Sequence, residues 1–329
     1  MSSLNRTTKY KNQKTFFMKQ QIRYILVAIT GVILFFTSCK KTDTTSTTDT
    51  TTEIQVQADD QQRFSNETDA IANDANATME NLGGSYAGES PLTPQLPFTC
   101  DATVVVDTTS NPRTITLTYN GNNCIGNRTR SGVIVISFAP GFRWVTAGSQ
   151  YTVTYNNLKI TRGADKKSIT INGTKTIKNV SGGKLRNLAT RLTPIVHEVT
   201  SSGMSITFDN GSQRNWQVAK RRTFTYDNGI VISITGISTL GNGIAEWGTN
   251  RFNKEFTAAI TEPLVVRQSC NFRLVSGQLK HTGPVGSTTT TFGLDANGNP
   301  ITSCPSGLLF YKIVWTGANG NSNTHIGSY

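Results

Sequence analysis

Histidine is scarce in this chain: His197, His281 and His325 are the three among 329 residues. None stands in an H-E-x-x-H pattern, and no G-x-S-x-G marks a nucleophile elbow. His197 and Glu198 adjoin in a strand-like stretch, which sends their side chains to opposite faces. A hydrolase would have to gather paired carboxylates from distant strands, so the chain reads as non-enzymatic. Cysteine is sparse as well. The five cysteines include no C-x-x-C pair and have no histidine nearby, which argues against zinc, and neither metal nor cofactor is expected. Asp295-Ala-Asn297-Gly298-Asn299-Pro300 alternates oxygen-bearing residues like a calcium loop. Its glycine is fourth rather than sixth, and Ser306 stands where such a loop needs Glu, so a plain turn is expected.

Long apolar runs are missing too. Tyr24 to Phe36 is thirteen residues, about 20 Å as a helix against the ~30 Å of a bilayer core. Lys19 and Arg23 precede it and Thr37-Ser38-Cys39 follow, the layout of a cleaved export signal. Phe36-Thr37-Ser38-Cys39 resembles the loose lipobox of Bacteroidota-type lipoproteins, which implies that Cys39 becomes the acylated first residue of the mature chain. The rival reading is a soluble secreted protein with an incidental cysteine. Met18 opens a signal of ordinary length, so residues 1–38 form the signal peptide and stand outside the fold. Lys40 is not the Asp that retains lipoproteins in an inner membrane, which favours the outer membrane.

Acidic residues are few, 20 against 32 Lys plus Arg. Six of those bases precede Cys39 and leave with the signal, so the net charge of +12 falls to +6 for the mature chain. That excludes a nucleic-acid footprint. Lys220-Arg221-Arg222, the one dense basic run, reads as a solvated strand end.

With Cys39 set aside, Cys100, Cys124, Cys270 and Cys304 remain, an even number suited to an oxidising compartment. Three pairings are possible, and Cys100–Cys124 with Cys270–Cys304 is favoured. Residues 39–58 form a polar, Thr-rich linker (TDTTSTTDTTTE at 42–53) that cannot bury a core. Over residues 59–84, Phe64, Ile71, Ala75, Met79 and Leu82 recur at helical spacing before Gly83-Gly84, which predicts one amphipathic helix.

Residues 98–329 read as a mainly β domain. Thr114–Tyr119, Tyr151–Tyr155 and Ser168–Ile171 alternate apolar residues with polar ones at period two, the pattern of strands buried on one face. Val133–Ile136 and Leu308–Trp315 are near-continuous apolar runs and predict strands buried on both faces. Asn-Gly recurs at 120, 172, 210, 228 and 297, the dipeptide of tight hairpin turns. An antiparallel meander or β-sandwich is therefore expected. Trp315 falls in an apolar run and reads as core. Trp216 and Trp247, flanked by polar residues and glycine, are the candidate exposed aromatic platforms for a sugar ring. Rows of outward threonine, such as Thr114, Thr116 and Thr118, suit a solvent-facing strand by β propensity alone.

Asn210-Gly211-Ser212-Gln213-Arg214-Asn215-Trp216, Arg222-Thr223-Phe224, Gly248-Thr249-Asn250-Arg251 and Phe256–Val265 through to Cys270 resemble a family of Bacteroidota-type β-rich lipoproteins. That resemblance implies location and fold, and carries no activity. The expectation is a lipid-anchored envelope protein, tethered to the membrane through Cys39, that binds a glycan, a peptide or another envelope protein. The alternatives are a glycan-active hydrolase and a structural, adhesin-like component.

Overall fold

The computed structural model describes residues 101–123, 126–163, 165–284, 286–317 and 320–329, together with Val56, Asp60, Glu67, Thr68, Ile71, Ala75 and Met79. The signal, Cys39, the linker apart from Val56, Cys100 and Cys124 lie outside the described residues, as does most of the expected 59–84 helix.

The described chain is one antiparallel sheet of 14 strands, with no second sheet facing it, so the sandwich alternative gives way to the meander. The first half runs β1 (Ala102–Asp107), β2 (Arg113–Asn122), β3 (Arg128–Phe138), β4 (Ser149–Arg162), β5 (Ser168–Asn179), β6 (Ile195–Phe208) and β7 (Gln213–Tyr226). The second runs β8 (Ile230–Gly236), β9 (Ile244–Thr249), β10 (Glu255–Arg267), β11 (Arg273–Gly283), β12 (Gly286–Leu294), β13 (Phe310–Gly317) and β14 (Ser322–Ser328). Every strand pairs with its neighbour in sequence except at one place. β8 and β9 together fill a single slot between β7 and β10. Lys220–Tyr226 of β7 pairs with β8 and Asn215–Val218 with β9. On the other side, Leu264–Arg267 of β10 pairs with β8 and Glu255–Ala259 with β9. Between β8 and β9, residues 237–243 leave the sheet and return. Gly236 and Gly243 cross so closely there that a Cβ on Gly236 would lie 2.1 Å from the Gly243 carbonyl oxygen.

Sheets this wide curl, and two ion pairs join helical residues to well-separated strands. Asp60 binds Arg251 after β9, and Glu67 binds Arg128 at the start of β3. Asp60 and Glu67 are both helical and hold strand positions five steps apart in the sheet. The concave face is the core. Ile115, Leu117 and Tyr119 of β2, Tyr151, Val153 and Tyr155 of β4, and Ile206 of β6 are all at most 2% exposed. Ile71, Ala75 and Met79, three of the apolar positions expected on the helix, join the same cluster.

Local predictions divide cleanly. Asn210-Gly211 and Asn228-Gly229 do turn hairpins, and Asn297-Gly298 turns the chain before Pro300. Asn120-Gly121 lies inside β2, and Asn172-Gly173 sits at a register shift inside β5. Gly173 adopts φ 119, and a Cβ there would lie 2.6 Å from the Gly203 carbonyl oxygen, so this glycine permits close strand approach rather than a turn. Val133–Ile136 alternates, with Ile134 and Ile136 buried and their neighbours partly exposed, and Leu308 is 62% exposed. Neither run is therefore a strand buried on both sides, and Trp315 is only partly buried. A single curled sheet has one dry face, which leaves no room for strands buried twice.

Candidate functional site

Two of the four expected disulfide cysteines lie among the described residues. Cys270 and Cys304 are bonded, with Cα atoms 5.3 Å apart. Cys270 is buried beside Val275 and Leu309, so the bond anchors the 295–309 connection to the start of β11. Cys100 and Cys124 lie outside the described residues.

The concave face carries charge as well as carbon. Period-two alternation in β7 turns Arg214, Trp216, Val218, Lys220, Arg222 and Phe224 inward. Lys220-Arg221-Arg222 is therefore no solvated strand end: Lys220 and Arg222 are each 7% exposed, and Arg221 alone faces out, where it pairs with Glu198. Glu246 of β9 is the hub. Its carboxylate accepts the Trp216 indole N–H at 2.9 Å and pairs with the Lys220 ammonium. Burial pushes this carboxyl up, but Lys220, Trp216 and Arg214 outweigh it and hold the group below the usual glutamate range. The Lys175 ammonium lies 4.9 Å from the centre of the Trp216 ring, and the Arg214 guanidinium 4.2 Å above Phe256. His281 stacks on the same Phe256 ring at 5.2 Å. Burial brings Arg214 down to about 10, so it stays cationic at neutral pH, whereas burial and the Arg214 charge bring His281 down to about 4. Lys175, Arg214, Trp216, Lys220, Glu246 and Phe256 are buried, so they tie β5, β7, β9 and β10 together and offer no open face to a ligand. Trp216 belongs to them. It is 0% exposed, so the expectation that it forms a surface platform is overturned.

His197 sits further along the same face, its ring 5.0 Å from Trp144 and 4.9 Å from Phe224. Burial and the nearby Arg222 charge bring it down to about 3, so it is neutral at physiological pH. Glu198 points the other way, as the alternation requires. Asn179 closes this region: its side-chain amide donates to the Trp144 carbonyl at 2.8 Å and the Gly183 carbonyl at 3.0 Å.

Trp247 is the other candidate, and it faces outward. Its neighbour Glu246 points in, so the indole lies on the convex side, partly exposed. An open groove of about 530 Å³ surrounds it. Trp247, Thr257 and Thr282 contribute to the lining from three adjacent strands. Leu240, 60% exposed, comes from the 237–243 excursion, and Pro284 from the β11–β12 turn. Thr249 and Glu255 add polar groups. Such a site offers an apolar ring face ringed by hydroxyls and one carboxylate.

The Asp295 loop is a turn. Its carboxylate accepts backbone N–H groups of Asn297 and Asn299, both at 2.9 Å, and these bonds, led by Asn299, hold its carboxyl below the usual aspartate range. Among the described residues no cluster of three or more His, Cys, Asp or Glu could hold a metal ion. The inward Lys220 and Arg222 were missed although their alternation with Val218 and Phe224 was present in the sequence; a charged pair of adjacent bases masked it. Compared with protein-family models, curated proteins and solved structures, the chain matches none.

Proposed function

We propose that this chain is a lipid-anchored, non-enzymatic protein of the outer membrane that binds a glycan in the groove around Trp247. The observation that carries the reading is the outward indole beside Thr249, Thr257 and Thr282. An aromatic face suits the apolar face of a sugar ring, and the flanking hydroxyls suit its rim. Glu255 is the one acid among the described residues that line the groove, which supports binding over a hydrolysis that needs two. The anchor rests on Thr37-Ser38-Cys39 after the short apolar run, and the second disulfide on the remaining pair, Cys100–Cys124.

Tryptophan fluorescence of the soluble Cys39→Ala chain, titrated with a panel of neutral oligosaccharides, tests the groove. Trp247→Ala is expected to weaken binding at least tenfold, about 1.4 kcal/mol; equal affinity refutes the site, and no binding to any glycan refutes the function. Labelled palmitate should enter the native chain in cells and be lost in Cys39→Ala. One observation favours the adhesin-like reading: β14 ends the sheet, carries no Lys, Arg, Asp or Glu and is exposed along nearly its whole length. A sharp monomer by analytical ultracentrifugation at high concentration would count against it.

A further inference from the structure

The groove is one end of a longer track. Strand register places Trp247 opposite Thr257, Thr257 opposite Thr282, and Thr282 opposite Ser287. Ser287 in turn lies opposite Thr316, and Thr316 opposite Ser322. Residues paired across antiparallel strands share a face, so one indole and five hydroxyls form a line perpendicular to the strands, on the convex side of β9 to β14. Each is partly or fully exposed. At ~4.8 Å per strand the line is about 24 Å long, and it contains no ionisable side chain.

We propose that this line binds an extended, neutral polysaccharide laid across the strands, with Trp247 as the first of several subsites. The inference rests on the groove reading and specifies its ligand as a chain several sugars long. A peptide is the poorer fit. Backbone N–H and C=O groups of β9 to β13 are already committed to the sheet ladder, so from Trp247 to Thr316 the surface offers hydroxyls and one aromatic face but no backbone edge to extend, the edge lying only at β14. A sugar chain meets both, since each hydroxyl can donate and accept.

The test is calorimetric titration of the Cys39→Ala chain with β-1,4-linked glucose and N-acetylglucosamine oligomers of one to six units. Affinity is expected to rise at least tenfold between two and six units. Ser287→Ala with Thr316→Val should return the six-unit affinity to that of the two-unit oligomer while leaving the latter unchanged. Neither substituted residue lines the groove, so circular dichroism and two-unit binding both report intact folding. Binding that depends on Trp247 but not on length, or a length dependence that survives the double substitution, overturns the track and leaves the groove standing. No binding at any length overturns both.

Discussion

Acidification from pH 8 to pH 5 should cost this protein about 4 kcal/mol of folding stability, through two histidines that the fold keeps neutral. An unfolded histidine titrates near 6.5. His197 is brought down to about 3 between Trp144 and Phe224, and His281 to about 4 against Phe256. The unfolded chain therefore binds protons that the folded chain refuses, and stability falls as pH drops. It is fully present above pH 6.5, declines below it, and stops declining for each residue once pH passes that residue's folded value. At pH 5 the unfolded chain lies 1.5 pH units below its own midpoint, worth about 2 kcal/mol per histidine at 1.36 kcal/mol per unit. Two such residues cost about 4 kcal/mol, a large share of the 5–15 kcal/mol typical of a folded chain. Glu246, Asp165 and Asp295 are all held below their ordinary values, so their contributions are lost only at lower pH. Urea unfolding of the Cys39→Ala chain at pH 8, 7, 6 and 5, followed by tryptophan fluorescence, measures the slope. His197→Gln and His281→Gln should each remove about half of it. A flat profile in the parent chain, or a slope that persists in the double variant, refutes the reasoning.

Glu246→Gln should destabilise by about 3–5 kcal/mol, because it leaves the buried Lys220 charge without its carboxylate; denaturant unfolding measures it. Cys270→Ser with Cys304→Ser releases a loop of sequence separation 34 and should cost about 4 kcal/mol in the chain-entropy model, read from the same curves under non-reducing conditions. Asn179→Ala should cost about 1–3 kcal/mol, since the buried Trp144 carbonyl and the partly buried Gly183 carbonyl lose this donor; a loss under about 0.5 kcal/mol would mean that water replaces the amide.

Strand identity was legible wherever one face alternates cleanly, as in Thr114–Tyr119, where Ile115, Leu117 and Tyr119 are the buried set. The Cys270–Cys304 pairing was legible from spacing, and the Asp295 turn from its misplaced glycine. Asn-Gly misled at 172 because the backbone freedom that makes a hairpin also makes a bulge, and only the partner strand decides between them. Trp216 and Trp247 looked alike in sequence, each flanked by polar or glycine residues. They part company because β7 and β9 are neighbours that turn opposite faces at those positions: Trp216 lies opposite Gly248, one residue past Trp247. Local composition carries no record of that one-residue offset.

The shared slot of β8 and β9 divides labour within one strand position. Its two halves hold the frame, while the excursion between them, tied to β7 through Ile237–Ala219 and to β10 through Gly243–Ile260, brings Leu240 to the groove. Replacing its tip, Thr239–Asn242, would change the wall of the groove while keeping those two ties to β7 and β10. Ligand preference could thus drift by substitution in one short detour while the rest of the sheet stays as it is, so the detour is the natural place to graft a new specificity.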